Sequence, residues 1–311
     1  MSSQSSPNSV CPPNAIHWSE AAIGQKVTNV SEMVGSTSAI VLSLQTEDGA
    51  EYVLRLFTLK DWLKLEPDLA RHEAAVLARV VQSRLQTPEL IAYDETGEHT
   101  THPAILMSKL KGKVELMPPN LDRWLAQLAG TLYQINQIPA DEFGWQYKHW
   151  FKPKELSTPA WTSVPKVFTE LKDYLLQPAP SFTPQFLHRD YHPANVLWEN
   201  DEISGVVDWV NGCVGPAMVD VAHCRLNLVG LYGVSAADLF LDHWMTLAGP
   251  ENYSVWWDIA GFANGDLFDS QRELEVYTGW GDFGKHDVSV ELLAKRLDNF
   301  AISLHRKASR K

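Results

Sequence analysis

The 311-residue sequence has little cysteine, little positive charge and no long apolar run, and each shortage excludes a class of protein. Cys11, Cys213 and Cys224 follow no metal-site spacing, which favours free thiols in a reducing, cytoplasmic setting. Lysine and arginine number 26 against 38 aspartates and glutamates, a net charge of −12, so the chain lacks the basic face of a nucleic-acid-binding protein. No stretch approaches the roughly 18 apolar residues of a membrane helix, and the amino-terminal residues lack the apolar core of a secretory signal.

Apart from these shortages, the composition is that of an ordinary globular protein. Hydrophobic residues make up 45% of the chain and charged residues 21%, which excludes a largely disordered chain. The length allows one large domain or two lobes.

Strand signals dominate the first third of the chain and helix signals the remainder. Residues 36–45 and 51–57 are β-rich runs joined by a turn containing Asp48-Gly49, a strong hairpin signal. Apolar residues at helical spacing predict a helix over residues 61–86. Short strands are predicted over 103–108, 185–188, 195–198 and 205–207, and helices over 120–138, over 165–176 and from 216 onward. The pattern favours an α+β fold with a loose tail over 1–15, an N-terminal lobe over 16–108 and a C-terminal lobe over 109–311.

The segment best suited to chemistry runs from His188 to Asn195 (HRDYHPAN) and is followed by GVVDW at residues 205–209. It offers Asp190, an amide five residues later at Asn195, and Asp208 thirteen residues after that. Short apolar runs beside these residues put carboxylate and amide oxygens at the edge of a packed core, and Mg²⁺ accepts such ligands together with substrate phosphates. Phosphoryl transfer needs this kind of metal site and a carboxylate that orients and deprotonates the attacking hydroxyl.

The segment resembles the catalytic loop of the protein-kinase-like superfamily, in which His-x-Asp precedes a metal-binding Asn by five residues. His192-Pro193 within the loop, the later Val-Val-Asp-Trp and the run GPAMVDVA at 215–222 are similar to the aminoglycoside phosphotransferase and choline kinase branch. The resemblance implies a bilobal protein-kinase-like fold, with a small β-rich N-lobe and a larger, mostly helical C-lobe. It also implies ATP as the phosphate donor and Mg²⁺ as the cofactor.

The resemblance assigns roles to five residues of this segment and its continuation. Asp190 would be the catalytic base, and Asn195 and Asp208 would hold Mg²⁺. His188 would support the loop, and Asp220 would fasten it by hydrogen bonds. The alternative is that Asp190 and Asn195 are ordinary turn residues, since both types favour turns.

On the nucleotide side, the residues implied by the resemblance are Gly35, Ser36, Thr37, Arg55, Glu73 and Met107. The turn with the single glycine would cradle phosphates through backbone N–H groups and hydroxyls. Arg55 stands where many kinases have lysine, and it would hold the α- and β-phosphates with Glu73 as its partner. Met107 would lie on the strand whose backbone meets the adenine. Without the resemblance, the turn is ordinary, and Arg55 and Glu73 are surface charges.

The predicted acceptor region is acidic and aromatic. Sixteen acidic and only three basic residues lie between Glu199 and Glu291, together with many tryptophan, tyrosine and phenylalanine residues. Acids and aromatic faces suit a hydroxylated acceptor that is cationic or sugar-like. The alternative is a set of solvated helix faces over an aromatic core.

The sequence therefore predicts an ATP-dependent phosphotransferase acting on a hydroxyl of a small molecule, such as an aminoglycoside, macrolide, choline, sugar or amino alcohol. A protein kinase is the first alternative, but Asp208 is followed by Trp209 where protein kinases have Phe-Gly. The second is a non-catalytic pseudokinase that acts as a binding module. The turn with only one glycine and the arginine at position 55, where many kinases have lysine, favour this alternative. The joint presence of Asp190, Asn195 and Asp208 does not.

Overall fold

A computed structural model describes residues 12–33 and 39–310 of the chain. The turn predicted to cradle phosphates, with Gly35, Ser36 and Thr37, lies outside these residues. Antiparallel strands fill the first part of the described chain and helices most of the remainder. The predicted α+β class is therefore confirmed.

The chain divides into two compact units. The first unit contains the described residues up to Gly112 together with Ser204–Asn211. The second unit contains Lys113–Ile203 and the described residues from Gly212 onward. The division predicted after residue 108 thus differs by a few residues and misses the return of the chain to the first unit. One cause of this return is a hydrogen bond of 3.0 Å from the Val206 N–H to the Gln86 carbonyl oxygen.

The first unit is built on one antiparallel sheet with the strand order β1-β2-β3-β5-β4. Its strands are β1 (Val27–Glu32), β2 (Ile40–Thr46), β3 (Glu51–Leu56), β4 (Leu90–Asp94) and β5 (Ala104–Ser108). The predicted Asp48-Gly49 turn joins β2 to β3. Gly49 has a φ of +85°, which glycine adopts without steric cost, and the Asp48 carboxylate accepts hydrogen bonds from the Thr46 hydroxyl and the Ala50 N–H. Strands β1 and β4 have no counterpart among the predicted strands.

The helices of the first unit are α1 (Pro13–Ile23), α2 (Lys60–Leu65) and α3 (Leu69–Val80). The single helix predicted over residues 61–86 is wrong, because α2 and α3 are separate. Pro67 lies between them, and a residue that precedes proline disfavours the helical conformation. Glu66 accordingly has a φ of −132° and a ψ of 80°.

Helix α1 overturns the last part of the predicted tail over residues 1–15. It begins at Pro13, and proline is tolerated in the first turn of a helix because its missing N–H has no helical partner there. The Asn14 side chain donates a hydrogen bond of 2.9 Å to the His99 carbonyl oxygen. Ala15 is fully buried, so α1 is part of the packed unit.

The core of the first unit is built on alternate residues of two neighbouring strands. Leu42 and Leu44 of β2 lie two residues apart, as do Leu54 and Leu56 of β3, and side chains two apart share one face of a sheet. All four leucines are buried and pack in one cluster with Ala15.

Helices dominate the second unit. They are α4 (Leu121–Asn136), α5 (Pro165–Tyr174), α6 (Met218–Tyr232), α7 (Val234–Ala248), α8 (Val255–Asn264), α9 (Gly279–Asp282) and α10 (Val290–Ala308). The strands are β6 (Lys113–Val114), β7 (Gln185–Leu187), β8 (Val196–Glu199), β9 (Glu202–Val206), which continues into the first unit, and β10 (Cys213–Gly215). Strand β7 pairs with β10, and β8 pairs with β6 and β9. Across the described ranges, no helix is both long and apolar enough to span a bilayer.

Helix α6 packs against α7, α8 and α10 and is buried along most of its length. Its Arg225 is fully buried and forms ion pairs with Asp258 of α8 and, at 2.6 Å, with Asp238 of α7. A buried guanidinium requires such partners, because an unpaired buried charge is strongly unfavourable. These ion pairs tie α6 to two neighbouring helices.

Candidate active site

The segment His188–Asn195 follows β7 and is fastened to the first turn of α6. The backbone N–H groups of His188 and Arg189 each donate a hydrogen bond of 2.8 Å, one to each carboxylate oxygen of Asp220. Burial raises the pKa of Asp220 to about 6, although these two hydrogen bonds oppose the shift. Arg189 has a φ of +72°, which is uncommon for a residue other than glycine. Asp220 therefore supports a strained backbone directly before Asp190.

Two histidines and an amide surround the Asp190 carboxylate. Its Oδ1 lies 3.0 Å from His223 Nε2 and 3.8 Å from His192 Nε2, and its Oδ2 lies 3.4 Å from Asn195 Nδ2. Burial raises the pKa of Asp190, but the neighbouring His192 and the hydrogen bond from His223 outweigh it and hold that pKa well below its usual range. Asp190 is therefore ionised at neutral pH and can accept a hydrogen bond from a hydroxyl group.

The amide of Asn195 is directed by the loop that contains it. Its Nδ2 donates a hydrogen bond of 2.9 Å to the Asp190 carbonyl oxygen and lies 3.2 Å from His192 Nε2. The Asn195 Oδ1 has no hydrogen-bond partner within residues 12–33 and 39–310. This oxygen is therefore available to an external ligand.

The position of His223 beside Asp190 was not predicted. His223 lies three residues after Asp220 on α6, and residues three apart lie on the same face of a helix. A helical interpretation of this region, combined with the expected contact between Asp220 and the loop, is the signal that could have identified it.

Arg55, Glu73 and Asp208 come together within the first unit. Arg55 of β3 places its Nη1 2.6 Å from Asp208 Oδ1 and 3.3 Å from Glu73 Oε1. Glu73 lies on the buried face of α3 with 1% of its side chain exposed. Burial raises the pKa of Glu73 to about 7, while Arg55 opposes the shift and Asp208 adds to it. Glu73 is thus buried and its partner Arg55 is only 12% exposed, so the interpretation of them as surface charges is wrong.

Asp208 stands in a backbone conformation that few residues adopt. It follows β9 with a φ of +66°, and the next residue, Trp209, is fully buried and donates a hydrogen bond of 2.9 Å to the Val206 carbonyl oxygen. Residues other than glycine that adopt such a strained backbone conformation are often found at functional sites. Asp208 Oδ1 forms the ion pair with Arg55, and Asp208 Oδ2 has no partner among the residues that the structure describes.

Asn195, in the second unit, and Asp208, in the first, each carry an oxygen of the type that Mg²⁺ prefers. This ion prefers oxygen ligands and keeps several waters, so it needs only one or two protein ligands besides substrate phosphates. Each of the two residues has one oxygen without a protein partner in the described ranges.

Met107 lies in β5, between β3 and β4, and only 4% of its surface is exposed. It stands opposite Val53 on one side and Leu90 on the other. The backbone N–H groups of the next two residues, Ser108 and Lys109, donate hydrogen bonds within the first unit. Met107 is therefore part of the sheet core, and its contact with adenine stays a prediction.

Most aromatic residues of the predicted acceptor region are not available to a ligand. The buried ones are Trp244, Trp256, Trp257, Phe262, Phe268 and Trp280. The hydroxyl of Tyr253 is also engaged, because it donates a hydrogen bond of 2.8 Å to Asp258. The expectation that these aromatic faces bind an acceptor is therefore wrong for the buried residues other than Trp256, because they fill the core between helices, whereas Trp256 also lines a surface cavity.

Comparison with known proteins decides the family. Residues 35–256 match the profile described as the phosphotransferase enzyme family. The chain belongs to this family. A search of curated proteins found no match in sequence.

Three solved structures of phosphotransferases share the fold. The crystal structure of aminoglycoside phosphotransferase APH(4)-Ia is 15% identical, covers 94% of this chain and 98% of its own, and has a TM-score of 0.62. A ternary complex of a thermostable mutant of that protein, with ADP and hygromycin B, is 15% identical over 96% and 100% of the two chains, with a TM-score of 0.63. Macrolide 2′-phosphotransferase MphH from Brachybacterium faecium is 16% identical over 93% and 94%, with a TM-score of 0.55. The predicted protein-kinase-like fold and family resemblance are confirmed.

Proposed function

We propose that this phosphotransferase moves the γ-phosphate of ATP to a hydroxyl group of a small molecule. Asp190 is the base, Asn195 and Asp208 hold Mg²⁺, and Arg55, oriented by Glu73, holds the α- and β-phosphates. The observation that supports the proposal most directly is the Asp190 carboxylate, which His223 contacts at 3.0 Å and which lies beside an amide whose oxygen has no protein partner in the described part of the chain.

In the proposed reaction, the acceptor hydroxyl donates a hydrogen bond to the Asp190 carboxylate. Its oxygen forms a bond to the γ-phosphorus while the bond from that phosphorus to the β–γ bridging oxygen breaks. The hydroxyl proton passes to Asp190, and ADP leaves. Asn195 and Asp208 would hold Mg²⁺, which would supply positive charge to neutralise the phosphates. The strained and hydrogen-bonded loop holds Asp190 in position, so little reorganisation is needed during the transfer.

A substrate panel tests the proposal. ADP release would be measured with ATP or GTP against aminoglycosides, macrolides, choline, sugars and amino alcohols, with a peptide library as the comparison. We expect phosphorylation of a small-molecule hydroxyl and none of peptides. Peptide phosphorylation would instead support a protein kinase.

A binding module without catalysis is the second candidate. The ion pair of 2.6 Å between Arg55 and Asp208 favours it, because one oxygen of a proposed metal ligand is already engaged. ATP turnover with and without Mg²⁺ separates the two candidates. Turnover that depends on Mg²⁺ supports the kinase, and nucleotide binding without turnover supports the module.

We predict that the acceptor bears at least one hydroxyl and one amine. Several exposed acids of the second unit have no basic partner in the described ranges, among them Asp242, Glu251, Glu273, Glu275 and Asp282. Their field attracts a cationic acceptor and repels an anionic one. The kcat/KM for an aminated polyol should therefore fall as salt rises, because exposed charges are screened beyond about 8 Å at physiological ionic strength.

The matched comparison is the same polyol without its amine, measured over the same salt series. The deaminated analogue should be the poorer acceptor at low salt, and the difference should shrink at high salt. Equal efficiency of the two compounds, independent of salt, would mean that these acids serve only solubility.

We predict that Arg55→Ala raises the KM for ATP and lowers kcat, because the phosphates lose a bidentate cationic partner. Glu73→Ala should give a similar but smaller defect, since Glu73 acts through Arg55. The double variant should be no worse than Arg55→Ala, because residues that act as one unit are not additive. Steady-state kinetics of the three variants check this, and strictly additive losses would contradict the pairing.

A further inference from the structure

We infer that His223 is a positioning residue that holds one oxygen of Asp190 and thereby assigns the other to the acceptor hydroxyl. The inference rests on the proposed function, because it gives Asp190 the role of the base. The observation behind it is the contact of 3.0 Å between His223 Nε2 and Asp190 Oδ1. At that distance the ring N–H donates a hydrogen bond to the carboxylate, and such charge-assisted bonds are among the stronger ones.

His192, the other histidine near Asp190, does not do this. Its Nε2 lies 3.8 Å from Oδ1, beyond hydrogen-bond distance. Its Nδ1 accepts a hydrogen bond of 3.2 Å from the Ala194 N–H, so the ring supports the backbone of its own loop. His223 is therefore the histidine that sets the orientation of the carboxylate.

The remaining oxygen of Asp190 is held only weakly. Oδ2 lies 3.4 Å from Asn195 Nδ2, and that amide makes its shorter bond, 2.9 Å, to the Asp190 carbonyl oxygen. Oδ2 can therefore exchange this contact for a stronger one at little cost. The geometry makes Oδ2 the oxygen that receives the proton of the acceptor.

Helix α6 holds the Asp190 region at two points. Asp220 accepts hydrogen bonds from the backbone before Asp190, and His223, three residues later, binds the Asp190 side chain. The buried ion pairs of Arg225 tie the same helix to α7 and α8. His223 thus presents its ring from a rigid element, which a group that positions a base requires.

The test replaces His223 and measures kcat and KM separately. His223→Leu keeps a side chain of similar size and removes the donor. We expect kcat to fall about 10- to 100-fold, as misplacement of a reacting group typically costs, with the KM for ATP changed less than about twofold.

His223→Gln should recover most of the activity because its amide can reach the place of Nε2, whereas the shorter His223→Asn should not. Turnover is measured as ADP release from Mg-ATP, with water as acceptor and with the best acceptor from the panel.

His243→Leu is the matched control. His243 lies on α7 and also pairs with an aspartate, its Nε2 being 2.8 Å from Asp122 Oδ1, but that pair is exposed at the surface. This variant should leave kcat unchanged. In the Asp190→Asn background, His223→Leu should cause no further loss, because the carboxylate that it orients is already gone.

Failure of this inference can be told apart from failure of the proposed function. Suppose that Asp190→Asn is impaired, as the proposed function requires. The inference is then overturned if His223→Leu has a normal kcat, or if His223→Gln and His223→Asn have the same kcat. Normal turnover in Asp190→Asn overturns the role of Asp190 itself.

A readout independent of activity is the proton NMR signal of the His223 ring N–H. We expect it downfield and protected from solvent in the native protein and lost in Asp190→Ala, and an exchanging signal in the native protein would count against the hydrogen bond.

Discussion

Replacing Asp190 by asparagine is expected to lower kcat by about 10²- to 10⁴-fold, the usual cost of losing a positioned general base. The carboxamide has nearly the same shape as the carboxylate but cannot take the proton of the acceptor. It also disturbs the local hydrogen bonds, because its N–H₂ group would face either the ring N–H of His223 or the amide N–H of Asn195. Nucleotide affinity should change little, since the change leaves the proposed phosphate and metal ligands in place.

Steady-state kinetics and a titration with ADP measure these two quantities separately. Asp122→Asn is the matched control, because Asp122 also pairs with a histidine but lies at the surface and outside the proposed site. Its kcat should equal that of the native protein. Near-normal turnover of Asp190→Asn with the identified acceptor would show that Asp190 is not the base.

Local sequence patterns predicted the parts of the fold that depend on local physics. The Asp48-Gly49 turn between two β-rich runs defines the hairpin before any tertiary contact is known. The break between α2 and α3 was missed although Pro67 signals it, because the apolar spacing continues on both sides. Strand β10, only three residues long, gave no pattern that could be recognised.

The site was predictable only where its residues lie close together in sequence. Asp190 and Asn195 share one loop, and the resemblance of that loop to the kinase-like catalytic loop is what predicts their roles. His223 is brought to Asp190 by helix packing, and no local pattern contains the two. The prediction that the aromatic residues of α8 contact the acceptor also depends on helix packing, which no local pattern shows. Whether Trp256 and Trp257 face a ligand or the core depends on which helices cover them, and both are 4% exposed.

Replacing Asp208 by alanine is expected to raise the Mg²⁺ concentration needed for nucleotide binding at least tenfold. Loss of groups that merely orient metal ligands costs about 10- to 100-fold in affinity, and Asp208 is the carboxylate among the proposed ligands of this ion. The variant also removes the nearest partner of Arg55, at 2.6 Å, and leaves that side chain with the buried Glu73. Titration of Mg²⁺ at constant nucleotide concentration measures the effect.

Two further variants separate the loss of the ligand from its side effects. Asp208 has a φ of +66°, where alanine is strained but glycine is not, so Asp208→Gly removes the carboxylate and relieves the backbone. If the carboxylate holds Mg²⁺, Asp208→Gly will be as defective as Asp208→Ala, whereas a defect caused by backbone strain will disappear. Arg55→Ala should weaken nucleotide binding while the Mg²⁺ dependence keeps its midpoint, because it leaves both proposed metal ligands intact. An unchanged Mg²⁺ requirement in both Asp208 variants would make Asp208 a turn residue whose carboxylate serves only the ion pair with Arg55.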